Sequence, residues 1–103
     1  MARTEKLSFL GISAFTESMA SMLEAGIENS EAISLLRQKE KSGGALDQGL
    51  QVMEGKLSEG ASLSEAMIES GMFPDYALEM VKAGEATGKS EDVLKRLSSY
   101  YAS

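Results

Sequence analysis

The sequence predicts an all-α chain of six helices. Proline occurs once, at Pro74, β-branched residues are sparse while Ala, Leu, Met, Glu and Lys abound, and apolar residues recur at three- and four-residue spacing between glycines.

The first helix is expected from about Ser8 to Ala25, with Ile12, Phe15, Met19, Met22 and Leu23 on one stripe, and Gly26 as its left-handed stop. Asn29 or Ser30 caps the second, which turns Ala32, Ile33 and Leu36 inward and the charged stretch Arg37 to Lys41 outward until Gly43-Gly44 breaks it. A third helix, about Ala45 to Glu59, carries Leu46, Leu50, Met53 and Leu57 and stops at Gly60. Gly49 and Gly55 lie inside it, each costing about 1 kcal/mol against Ala, so both are expected to mark the close approach of a neighbouring helix. Ser62 and Glu65 have the spacing of a capping box, in which hydroxyl and carboxylate each satisfy an unpaired backbone N–H. They open a short fourth helix with Leu63, Ala66 and Met67 inside, ending near Gly71. Pro74 suits the first position of a fifth helix, where its missing N–H costs nothing. Ala77, Met80, Val81 and Gly84 form the inner face of that helix, and Gly88 closes it. Ser90 is expected to cap the sixth, with Glu91 and Asp92 in the first turn and Val93, Leu94, Leu97, Tyr100 and Tyr101 along one side.

Two segments, Leu23 to Ile33 and Leu57 to Met67, share Leu, Gly, Ser, Glu and Ala at matching places and lie 34 residues apart. That is the tetratricopeptide period, but the Trp, Leu-Gly and Tyr signature of that repeat is missing. The simpler reading is two helix-turn-helix junctions with a common capping solution.

Composition excludes most chemistry. Histidine, cysteine and tryptophan are absent, which removes the imidazole base, the Ser-His and Cys-His nucleophile pairs, His/Cys zinc sites and disulfides. No paired-acid site, phosphate loop or dinucleotide fingerprint is present. Gly84-Glu85-Ala86-Thr87-Gly88 follows a helix and holds no Lys, so it does not cradle phosphate. The methionines fall at core spacing and read as gap-fillers. We therefore expect no catalytic residue, cofactor or metal. Arg3 and Lys6 precede a mildly apolar run from Leu7 to Thr16, but that run is too short and too polar for a spanning helix, which takes about 20 apolar residues.

Charge is more informative. The formal net charge of −6 argues against nucleic acid, whose phosphates require Lys and Arg. Between Glu54 and Asp92 nine acids face three bases, whereas the rest of the chain is neutral, so the whole charge belongs to that stretch. A field of one sign can steer a basic partner.

The series Phe15-Thr16, Leu23-Glu24-Ala25-Gly26-Ile27, Glu59-Gly60-Ala61-Ser62-Leu63-Ser64-Glu65-Ala66, Phe73-Pro74, Gly84 to Gly88 and Val93 to Tyr101 resembles the type II secretion system protein F domain. The match runs in order through nearly the whole chain. The resemblance implies a compact antiparallel bundle of six helices, with residues 1–103 as one domain, about 8–101 in the bundle and 1–7 as an N-terminal extension. It further implies a non-enzymatic cytoplasmic domain, cut from an inner-membrane platform protein of type II secretion, type IV pilus or competence systems. Such a platform couples a hexameric ATPase to the movement of pilin-like subunits. The partners implied are that ATPase, other inner-membrane assembly components and pilin-like subunits through the parent protein, and a second copy in a homo-oligomer; the domain itself is not expected to insert in the membrane. Gly26, Gly60 and Gly88 match turn glycines of the family, Pro74 a helix start and Ser62 a cap, with Gly84 opening the segment that holds Glu85. Glu85 is expected first to accept hydrogen bonds from a nearby helix N-terminus. A sharper reading puts Glu85, with Glu79, Glu91 and Asp92, at a partner contact. The rival from another class is a free-standing tetratricopeptide-like adaptor.

Overall fold

The computed structural model describes residues 5–103, and its six helices are α1 (Phe9–Glu24), α2 (Asn29–Gln38), α3 (Ala45–Ser58), α4 (Leu63–Ser70), α5 (Asp75–Thr87) and α6 (Ser90–Ala102). They form three antiparallel hairpins, α1–α2, α3–α4 and α5–α6. Each helix packs on its neighbour in sequence, and α6 packs back on α1 most extensively of all. That closure makes a ring around one core, unlike the open stack of a helical repeat. Arg3 and most of the expected N-terminal extension lie outside the described residues. Its last two residues are tied to the α4–α5 loop: the Leu7 amide donates to Met72 O at 3.0 Å and Lys6 Nζ to Phe73 O at 3.3 Å.

The core is the predicted stripe of each helix. Ile12, Met19, Ile33, Leu50, Met53, Leu63, Met67, Val81, Leu94 and Leu97 are all buried. Met72 and Phe73, from the α4–α5 loop, fill the space beneath α1 and α3, and the Phe73 ring stacks at a tilt on Phe15 with centroids 4.9 Å apart. The Thr16 hydroxyl, fully buried, donates to Ile12 O at 2.8 Å, and Ser13 Oγ donates to Ser98 O at 2.7 Å to lock α1 on α6.

All three hairpins turn on the same backbone device. Gly26, Gly60 and Gly88 have φ of 87°, 94° and 71°, values that a side chain tolerates poorly. At each, the amide of the following residue bonds five positions back: Ile27 to Met22 O at 2.9 Å, Ala61 to Lys56 O at 3.1 Å and Lys89 to Gly84 O at 2.8 Å. This is the Schellman closure of a helix C-terminus. The 34-residue similarity is therefore a shared turn. It is not a shared cap, because Ser62 accepts from the Glu65 amide at 3.1 Å in a complete capping box, whereas α2 has no capping side chain.

Several local expectations are corrected. Glu28, not Asn29 or Ser30, holds the N-cap position of α2, and Lys89, not Ser90, that of α6; neither makes a side-chain cap bond. Pro74, with ψ 157°, is the extended residue before α5 rather than its first helical one. Gly49 does mark a close approach, since a Cβ there would collide with Met72, but the neighbour is a loop. Gly55 is exposed with open space around it. Tyr100 is 60% exposed rather than inward. Arg37, expected to point outward, reaches across to α3. Its Nε donates to Asp47 Oδ1 and its Nη1 to Glu54 Oε1, both at 2.7 Å.

Candidate functional site

Antiparallel hairpins sort the molecule into two ends. At the turn end lie Gly26, Gly60 and Gly88 with the N-termini of α2, α4 and α6. At the other end the chain enters α1 and leaves α6, and Phe9 stacks beside Tyr101 with centroids 5.4 Å apart.

The three turns enclose an open cleft of about 740 Å³. Leu23, Leu57 and Leu63 give it apolar walls, one from each of α1, α3 and α4. Glu28, Glu91 and Asp92 stand at its rim from the starts of α2 and α6, with Lys89 as the one cation lining it. Carboxylates in first turns are favoured there by the positive end of the helix dipole, so the fold itself gathers negative side chains where three such ends converge. Asn29 Oδ1, buried in the wall, has no hydrogen-bond partner in the structure.

Glu85, on the last turn of α5, also lines the cleft, but its carboxylate is already engaged. One oxygen accepts from the Ser64 amide at 2.9 Å, and the other accepts from the Ser64 hydroxyl. Ser64 is the second residue of α4, so Glu85 caps a neighbouring helix from outside and fastens the second hairpin to the third. Of the four acids read as partner contacts, Glu85, Glu91 and Asp92 share this cleft, and Glu79 does not. It is exposed on α5 six residues before Glu85, about 9 Å along the axis. Of the motif residues, Gly26, Gly60 and Gly88 make the turns, Ser62 caps α4, Pro74 precedes α5, and Gly84 brings α5 against α6, where a Cβ would lie 2.8 Å from Val93 Cγ2.

Sequence reasoning left out the contribution of the first hairpin. Its charges belong to the neutral part of the chain, yet Glu28 joins the cleft and Glu24 pairs with Lys95 of α6 at 2.7 Å, the lysine holding the Glu24 carboxyl below its ordinary value. The signal was available: placing Gly26 in register with Gly60 makes the start of α2 the counterpart of the start of α4, and both line the cleft.

A second electrostatic cluster, away from the cleft, fastens α2 of the first hairpin to α3 of the second. The Arg37 guanidinium, then the Gly43 amide, hold the Asp47 carboxyl low, and the Ser34 hydroxyl, then Arg37, do the same for Glu54. Among the described residues, no three His, Cys, Asp or Glu side chains converge as metal ligands would, and no helix is long and apolar enough to cross a membrane. What this arrangement can do chemically is attract and hold basic groups in a cleft with apolar walls.

A model of the family described as type II secretion system (T2SS), protein F matches residues 15–103. Among curated proteins, the chain is 33% identical over 90 residues to the type II secretion system protein F of Xanthomonas campestris, covering 84% of this chain and 21% of the relative. It is 28% identical over 88 residues to a type 4 fimbrial assembly protein PilC of Pseudomonas putida, with 84% and 21% covered. Against the type IV pilus assembly protein PilC of Myxococcus xanthus it is 23% identical over 92 residues, with 89% and 22% covered. The chain thus spans about a fifth of the length of these relatives.

Proposed function

The chain belongs to the type II secretion system protein F family, and from that premise we propose that it serves as a non-catalytic interaction domain on the cytoplasmic face of the bacterial inner membrane. There it forms part of a platform protein for type II secretion or type IV pilus assembly. Its turn end takes a basic surface of the assembly ATPase and so links that motor to the movement of pilin-like subunits. The observation that carries this reading is the cleft between the three turns. It is built by backbone bonds, lined on three sides by leucine and rimmed by Glu28, Glu91 and Asp92, whose carboxylates make no hydrogen bond among the described residues. A surface whose carboxylates hold exposed positions without side-chain hydrogen bonds is available for a partner.

The test is binding of the purified domain to a purified secretion ATPase across a salt series. The reading expects affinity to fall as ionic strength rises and to fall again when Glu91→Gln and Asp92→Asn are combined. Binding indifferent to both changes, or no binding at low salt, overturns it.

A further inference from the structure

The end opposite the acidic cleft carries the other unusual surface. A chain of rings crosses three helices there. Phe9 of α1 meets Tyr101 of α6 at 5.4 Å, Tyr101 meets Tyr100 at 5.0 Å, and Tyr100 meets Tyr76 of α5 at 5.0 Å between centroids. Tyr101 is buried, but Phe9, Tyr76 and Tyr100 are 67%, 49% and 60% exposed, and Leu10, next to Phe9, is 72% exposed. Phe9, Pro74, Tyr100 and Tyr101 line a shallow cavity of about 330 Å³ between them. Phe9, Leu10, Tyr76 and Tyr100 are four of the six large apolar side chains that the described residues leave exposed, drawn from helices distant in sequence.

We propose that this aromatic end rests on the headgroup region of a lipid bilayer. Three observations select that occupant. Exposed tyrosines present an apolar ring and a polar hydroxyl, the combination that suits the interface between hydrocarbon and water. Charge separates the two ends: Glu28, Glu91 and Asp92 outnumber Lys89 at the opposite end, whereas here Glu5 and Asp75 are balanced by Lys6, which precedes α1, and by Arg96, one turn before Tyr100 on the same face of α6. An anionic lipid surface repels the first end and tolerates the second. Finally, both ends of the described chain leave the bundle on the aromatic side, and in the curated relatives the matched stretch is only 21–22% of the polypeptide. The contact is peripheral, with side chains seated at the surface and no helix crossing. The inference rests on the platform reading only for the presence of a membrane nearby.

Because the chain has no cysteine, single labels can be placed cleanly. An environment-sensitive fluorophore on Ser99→Cys reports the aromatic end, and one on Ser30→Cys the turn end. With phosphatidylethanolamine–phosphatidylglycerol vesicles at millimolar lipid, the label at position 99 should shift to the blue while the label at position 30 stays unchanged. Combining Phe9→Ser with Tyr100→Ser should raise the lipid concentration for half-response about tenfold or more, and Tyr100→Phe alone should leave it near the parent value. Both variants alter exposed positions, and circular dichroism verifies that they stay folded. No response at position 99, equal responses at both labels, or an undiminished response in the double variant overturns the proposal. So does a sedimentation result in which the parent dimerises through these rings and the double variant does not, since the occupant is then a second copy. Vesicle binding that fails while ATPase binding persists counts against this inference alone; the converse counts against the coupling role alone.

Discussion

At the turn end, three chain reversals are closed by main-chain hydrogen bonds around Gly26, Gly60 and Gly88, and the surrounding acids stay exposed or serve as caps. At the opposite end, Met72, Phe73 and Phe15 hold the structure by burial, and the rings beyond them are left facing outward. The difference teaches where each end stores its stability. A turn made from backbone leaves its side chains free to vary in charge without loss of fold, whereas an end held by packed side chains tolerates little change inside and displays only what the core does not use.

The largest expected effect breaks the packed end. Phe73→Ala removes a ring that is 1% exposed and should cost about 3–5 kcal/mol in denaturant unfolding. A loss below about 1 kcal/mol would mean that this end is not held by burial. Next comes the one acid of the turn end that does bear structure. Glu85→Ala leaves the Ser64 amide and hydroxyl without their acceptor, a loss of about 1–3 kcal/mol, and Glu85→Gln, which retains an acceptor oxygen, should recover part of it in the same thermal melts.

The seam between α2 and α3 responds to pH. Asp47 and Glu54 are held below their ordinary values by their bonds to Arg37, Gly43 and Ser34. Their contribution is therefore fully present above the ordinary carboxylate range and is lost as pH falls through the lowered folded values. Asp47→Asn should destabilise the domain near neutral pH and make the acid limb of its stability profile less steep; an unchanged limb would show that the Arg37 network is energetically idle. The smallest effect sharpens the comparison from the other direction. Glu91→Gln combined with Asp92→Asn should cost no more than about 1 kcal/mol of stability, the loss of two exposed charges from the favourable end of the α6 dipole, while affinity for a basic partner surface drops.

Helix number and core were readable because apolar spacing repeats within each helix and a glycine follows each first arm. Ile12, Ile33, Leu50, Leu63 and Leu94 all face inward as their periodicity requires. What escaped notice depends on the hairpin partner. Arg37 reads as one charge in a solvated run until α3 brings Asp47 and Glu54 within 2.7 Å. Two helix starts differ because Ser and Asn are favoured at the N-cap positions that Glu28 and Lys89 occupy here without any side-chain bond, and a third because Pro74 stands one place before α5. Tyr100 continues the apolar stripe of α6 in sequence, yet at the helix end the ring of helices no longer covers it, so it lies outside the core. For the cleft, Glu85, Glu91 and Asp92 were identified from charge and motif. Glu28 was not, because the charge outside Glu54 to Asp92 sums to zero and so hides the acidic run Glu17, Glu24, Glu28 and Glu31, and only the turn geometry delivers it to the cleft.

On the proposed function the two ends divide the work, and the cleft is the one that meets the assembly ATPase. Photo-cross-linking decides this most directly. A cross-linker installed through Ser90→Cys beside the cleft should capture the ATPase in the assembled complex, and the same group on Ser99→Cys should not. Equal capture from both positions, or capture from position 99 alone, would contradict it.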